Sequence, residues 1–196
     1  MKSTHLFGVR LAAWFFLSGI LALARADDFQ PEPGFVSLFN GRDLTGWGYL
    51  TNNFNGKTVS SDGRYTATNG MLVVNPHRVG AGPRLRKLWT TRVFPKDFTL
   101  KLEFRATVNA DSGIFIRQPQ LQCRDYLVAG PYLNLKRYRP QDWNEIVVTV
   151  TNGVAYATCN GEVLEAALAV PETGPIGPEA DRGQMEYRRI RLKESP

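Results

Sequence analysis

Phe98-Thr-Leu-Lys-Leu-Glu-Phe-Arg105 alternates without a break: Phe98, Leu100, Leu102 and Phe104 hold one parity, Thr99, Lys101, Glu103 and Arg105 the other. Successive side chains of a strand point to opposite faces, so the segment reads as a strand with one face in a core and one toward water. Ile146, Val148 and Val150 repeat the pattern against Glu145, Val147, Thr149 and Thr151. Met185 and Tyr187 alternate with Glu186 and Arg188, after which Ile190 and Leu192 carry the apolar series on the opposite parity. Asn-Gly pairs stand at 55–56, 69–70, 152–153 and 160–161. Both central positions of a type I′ turn need positive φ, which Asn and Gly tolerate best, so these pairs predict hairpins. Tyr65–Thr68 with Met71–Val74, and Val154–Cys159 with Glu162–Leu164, are the clearest. No window carries a 3.6-residue apolar stripe; the best helical candidate, Glu162 to Val170, is short and ends at Pro171. About ten short strands bounded by turn signals predict an all-β sandwich, with no repeat period to suggest a propeller or solenoid.

Residues 1–26 stand apart. Lys2 and Arg10 precede a run of 13 mostly apolar residues, Leu11 to Leu23, and Ala24-Arg25-Ala26 supplies a small-x-small cleavage pattern. That run is too short to span a hydrocarbon core of ~30 Å as a helix. It reads as a signal peptide, leaving one domain over 27–196, exported to the periplasm or the extracellular space, with no stable membrane span after processing. Without the signal, Lys+Arg falls from 24 to 21 against 18 Asp+Glu, a net charge of +3 in place of +6. The basic residues are scattered, which argues against nucleic acid as a partner. Cys123 and Cys159 are compatible either with a disulfide, which an exported protein permits, or with two buried free thiols. With His77 as the one histidine of the mature chain they make no metal-ligand spacing, and no metal or cofactor is expected.

The most polar strand region is Asp111–Tyr132 (DSGIFIRQPQLQCRDYLVAGPY). Ile114 and Ile116 share one face and Phe115 and Arg117 the other; further on, Gln120, Gln122 and Arg124 oppose Leu121, Cys123 and Asp125. Two amides and a guanidinium on one face are poor core material and suit a polar groove or a solvated face. Sugar binding would add aromatic platforms. Trp47 and Trp143 read as packing residues, Trp143 as a core plug at a strand entry, whereas Trp89 beside Thr90 and Thr91 is more open. No nucleophile elbow or phosphate loop occurs, and His77 beside Pro76 has no paired serine or cysteine. Asp111 and Asp125 are the carboxylate pair of the polar stretch, and Asp142 reads as a turn-capping acid.

Several of these pieces together resemble one family. Phe35-Val-Ser-Leu-Phe-Asn-Gly-Arg-Asp-Leu-Thr-Gly-Trp47 is similar to its opening signature, Ser112-Gly-Ile-Phe-Ile-Arg117 to its central strand, and Asp142-Trp-Asn144 to its later strand entry. Gly174-Pro-Ile-Gly177 with Glu186-Tyr-Arg-Arg-Ile-Arg191 is similar to its closing strand. On these residues the chain resembles the 3-keto-disaccharide hydrolase domain family (3-keto-glucoside 1,2-lyase/3-keto-2-hydroxy-glucal hydratase), over roughly residues 34 to 194. The resemblance implies a concanavalin A-like jelly-roll sandwich and a small carbohydrate substrate, a 3-keto-glycoside. Two positions depart from the family pattern: Gln120 stands where an acid is common, and Asp181-Arg182-Gly183 replaces a His-Gly.

The implied reaction is an elimination followed by hydration. A ketone at C3 acidifies C2–H, a base removes that proton as the C1 oxygen leaves, and water adds to the enone. Such a site needs a base, a proton donor and donors to the enolate oxygen. The resemblance implies Asp125 as base, Tyr132 or Asp181 as proton donor, and Arg117 and Gln122 as enolate or hydroxyl donors. Gln120, Trp89 and Asp111 complete the expected substrate contacts. Asp125→Asn is then expected to abolish turnover with the fold intact. The alternative is a carbohydrate-binding sandwich that has lost its catalytic acids and kept its groove.

Overall fold

The computed structural model describes residues 29–50, 52–76, 86–125 and 130–196. The proposed signal peptide, His77 and Tyr126 lie outside these residues. The first half of the chain forms β1 (Val36–Ser37), β2 (Trp47–Tyr49), β3 (Asn52–Asn53), β4 (Tyr65–Thr68), β5 (Met71–Val74), β6 (Arg86–Lys87) and β7 (Trp89–Thr90). Then come β8 (Phe98–Ala106), β9 (Asp111–Ile116), β10 (Gln120–Arg124) and a single helical turn, α1 (Gly130–Leu133). The chain closes with β11 (Asn144–Thr151), β12 (Val154–Cys159), β13 (Glu162–Ala169), β14 (Ile176–Ala180) and β15 (Met185–Glu194).

The strands make a large sheet in the order β13-β12-β11-β8-β15-β5-β4, with β1 added on β15, and a four-stranded sheet β10-β9-β14-β6. A small three-stranded piece, β3-β2-β7, completes the fold. Alternation places Phe98, Leu100, Leu102, Phe104, Ile146, Val148 and Tyr187 of the large sheet in one buried cluster with Ile114, Ile116, Leu121, Cys123 and Ile176 of the four-stranded sheet. This is how two antiparallel sheets bury one face each. Hairpins form at Asn69-Gly70, Asn152-Gly153 and Asn160-Gly161, where each Asn has φ of 49° and each Gly lies between 76° and 81°, whereas Asn55-Gly56 joins no pair of described strands.

The change of apolar parity in the last strand is a β-bulge. Between Arg188↔Glu103 and Arg191↔Lys101, β15 carries one residue more than β8, and Arg189 takes φ of 52°. Two expectations are corrected. Glu162 to Val170, the best helical candidate, is not helical: Glu162–Ala169 is an edge strand on β12, with register shifts beside Ala157, and Leu164 reaches the core. Trp143 is not a core plug. Asn144 and Ile146 take the inward parity, so Trp143 lies on the outer face of the large sheet, where Arg188 stacks on it at 3.9 Å and Arg105 at 4.8 Å. Trp47 is fully buried and its indole N–H donates to Leu38 O (2.8 Å). Asp142 caps the strand entry, accepting the Trp143 N–H at 2.7 Å. Cys123 and Cys159 are free buried thiols. Burial pushes both up to about 12, so they are inert as thiolates.

Candidate functional site

The outer face of the four-stranded sheet follows from the same period of two. β10 contributes Gln120, Gln122 and Arg124, which oppose Phe115, Gly113 and Asp111 of β9. Gly177 of β14 opposes Phe115 from the other side, and Glu179 opposes Lys87 of β6. Gly113 is what lets the polar groups meet. A Cβ there would stand 2.4 Å from the Gln120 side chain, so that side chain lies across the glycine. Gln120 Nε2 thereby donates to Glu179 Oε2 (3.0 Å), and Gln122 Nε2 donates to Gln120 Oε1 (2.9 Å). Two amides from β10 thus reach over β9 to a carboxylate on β14. At the far end Gln122 Oε1 is buried and has no hydrogen-bond partner.

Glu179 is 7% exposed, and Ser112 Oγ donates to its backbone carbonyl at 2.6 Å. Burial raises the proton affinity of its carboxyl, Asp181 and Asp111 add to the rise, and Lys87 and the Gln120 bond oppose it. Beside it Lys87 Nζ lies 3.8 Å over the Phe115 ring, and Trp89 meets Phe115 edge-on with centroids 5.7 Å apart. Trp89 approaches β14 because residue 177 is glycine: a Cβ there would be 1.9 Å from Leu88 O and 2.9 Å from the indole. Leu50, Lys87, Trp89, Arg117, Gln118 and Pro175 border an open hollow of about 340 Å³ at this end of the face. That volume falls within the range of small-ligand pockets. At the other end Arg124 Nε pairs with Asp111 Oδ1 (2.6 Å), and Arg182 approaches Asp111 at 3.7 Å.

Of the residues expected from the sequence, Gln120, Gln122 and Asp111 meet on this face and Trp89 flanks it. Asp181 lies half-buried at its rim, close enough to act on Glu179. Asp125 and Tyr132 are elsewhere, and Arg117 is at the edge of the hollow. Asp125 shares parity with Leu121 and Cys123; it is fully buried, and its carboxylate accepts from Asn109 N–H (2.8 Å) and Gln141 Nε2 (3.0 Å). Tyr132 is fully buried against Phe104 and Tyr138, and its hydroxyl donates to the Gln122 carbonyl. Arg117 follows the end of β9 with φ of 65°. Its guanidinium donates to Pro171 O (2.7 Å) and Lys96 O (2.6 Å), tying three loops together. Asp125 and Tyr132 hold the structure around the site and do not line it, whereas Arg117 ties its loops and also borders the hollow beside Trp89 and Gln118.

Glu179 and Lys87 were not singled out from the sequence. The available signal was parity: in Ile176-Gly-Pro-Glu-Ala180 the acid shares a face with Gly177, while Ile176 and Ala180 join the core. Among the described residues no group of three or more His, Cys, Asp or Glu side chains could hold a metal ion. None of the described helices is long and apolar enough to cross a membrane.

The two-sheet antiparallel sandwich defines the fold class, a concanavalin A-like jelly roll. Within that class the chain belongs to the 3-keto-alpha-glucoside-1,2-lyase-like domain family, whose model matches residues 34–193. Two solved structures share the fold. Each is described as a "putative glycosyl hydrolase" from Parabacteroides distasonis ATCC 8503. One has a TM-score of 0.65 at 16% identity, covering 83% of this chain and 95% of its own. The other has a TM-score of 0.58 at 16% identity, covering 82% and 99%. No curated protein matches the sequence.

Proposed function

We propose that the protein cleaves 3-keto-glycosides by elimination and hydration, with the sugar seated on the outer face of the four-stranded sheet. Family membership supports the substrate class. The observation that carries the reading is the placing of Gln120, Gln122 and Glu179 on one face beside the Phe115–Trp89 pair. A sugar ring has an apolar face for an aromatic side chain and hydroxyls for planar amides. The buried acceptor at Gln122 Oε1 suits a hydroxyl donor. Residues 1–26 are proposed as an export signal, and N-terminal sequencing of the exported form is expected to begin at Asp27.

A second reading, a non-catalytic carbohydrate-binding sandwich, is favoured by one observation: the expected base Asp125 and donor Tyr132 are both enclosed in the protein. The processed protein incubated with a 3-keto-disaccharide separates the two. Release of the aglycone or monosaccharide supports the enzyme. A sugar-dependent rise in melting temperature without release selects the binding module; a ligand at 100 times its Kd contributes ~2.7 kcal/mol. The absence of both effects would sink both readings.

A further inference from the structure

We infer that Glu179 is the proton acceptor for C2–H of a 3-keto-glycoside on this face, and that Gln120 and Gln122 are its positioning residues. The inference rests on the proposed substrate class. Three acids belong to the face or its rim. Asp111 is engaged by Arg124 at 2.6 Å and by Arg182 at 3.7 Å, which holds it as a paired carboxylate. Asp181 is half-buried at the rim. Glu179 lies between the Phe115–Lys87 pair and the amides, and Gln120 is the one hydrogen-bond donor to its carboxylate among the described residues. A neutral amide on Oε2 fixes the carboxylate without neutralising it and leaves Oε1 to accept a proton. Ser112 holds the Glu179 backbone from the core side.

The two half-reactions balance on this one carboxylate. Glu179 takes the C2 proton, and the C–H electron pair becomes the C1=C2 bond by way of the enolate at the C3 oxygen. The C1–O bond breaks, and its pair leaves with the aglycone oxygen, which takes a proton from solvent. In the hydration, the hydroxyl of a water molecule adds to C1 and its proton passes to solvent, while Glu179 returns its proton to C2. The net change is glycoside plus water to 3-keto sugar plus aglycone. Lys87 from β6, Asp111 from β9, Gln120 from β10 and Asp181 after β14 are the polar groups that tune the carboxyl. Burial and the two acids outweigh the other pair, so the acid limb of the rate is expected above the ordinary carboxylate range.

The test uses the processed protein in D2O with two substrates: a 3-keto-disaccharide, and a 3-keto sugar carrying hydrogen in place of the C1 leaving group. NMR follows deuterium at C2, and chromatography follows aglycone release. The wild type is expected to exchange C2–H of the second substrate. Glu179→Gln is expected to lose exchange by about 10²-fold or more while keeping the sugar-dependent melting shift. Exchange at the wild-type rate in Glu179→Gln overturns the inference and leaves the cleavage reading standing if the wild type releases aglycone. Exchange that stops in Glu179→Gln without aglycone release from the wild type supports Glu179 and overturns net hydrolysis. A variant that loses exchange and the melting shift together assigns Glu179 to binding and overturns its role as base. No exchange and no release by the wild type overturns both.

Discussion

At the scale of single residues, two carboxylates exchange the roles that sequence position suggests. Asp125 sits in the polar stretch but takes the core parity, so both its oxygens are occupied by Asn109 and Gln141. Asparagine at this position would turn an amide N–H toward one of those donors. Asp125→Asn is therefore expected to cost about 1–3 kcal/mol of stability, the penalty for an unsatisfied buried group, measured by chemical unfolding. Any loss of turnover should follow the loss of fold; a stable but inactive variant would return Asp125 to the catalytic role. Glu179 responds to its neighbours instead. Lys87 lowers its proton affinity from the facing strand. In Lys87→Met that opposition is gone, the carboxyl binds its proton more tightly, and the base is ionised only at higher pH. The acid limb of the pH–rate profile is expected to move to higher pH, and a shift to lower pH would count against Glu179.

At the scale of elements, the site depends on two glycines in adjacent strands that do different work. The Cβ of Gly113→Ala would meet the Gln120 side chain at 2.4 Å, whereas that of Gly177→Ala would meet the backbone carbonyl of Leu88 at 1.9 Å. Gly113→Ala is expected to push Gln120 away from Glu179 and lower turnover at a smaller cost in stability than Gly177→Ala, because a side chain moves more readily than a backbone. Gly177→Ala must shift β14 against its neighbour and is expected to destabilise by about 1–3 kcal/mol. Melting curves and turnover of both variants check the contrast. Strand alternation was legible in the sequence for β8, β11 and β15, including the bulge in β15 that the parity change marks. Edge strand β13 was less so: its pattern is broken by register shifts beside Ala157, and a bulged strand lacks a clean period of two.

At the scale of the whole molecule, the N-terminal segment is fastened to the last strand by charge. Arg191 grips Glu32 at 2.6 and 2.8 Å, and Lys101 adds a contact at 3.3 Å. The Arg191 bond, more than any other cause, lowers the Glu32 carboxyl from 4.5 to about 2. A carboxylate with a depressed value contributes stability above its unfolded pKa and loses it as pH falls through the folded one. Stability is therefore expected to decline between pH 4.5 and 2. Glu32→Gln should be less stable than the wild type at neutral pH and show a shallower decline over that interval. The measurement is urea unfolding across pH; parallel profiles would show that the pair adds nothing.

The sequence by itself determined the all-β class, the hairpins at Asn69-Gly70, Asn152-Gly153 and Asn160-Gly161, the inner and outer faces of the long strands and the family. Those features are local, because a period of two and a turn's need for positive φ are written in neighbouring residues. It also determined that Gln120 and Gln122 share a face. Only the tertiary structure decided what they face. Glu179 comes to Gln120 from 59 residues away, across a strand whose glycine leaves room for the contact. The fate of Arg117 was likewise tertiary, since a positive φ at the strand end sends it to carbonyls of two distant loops. Strand order and register set these meetings, and no local pattern encodes which strand becomes the neighbour.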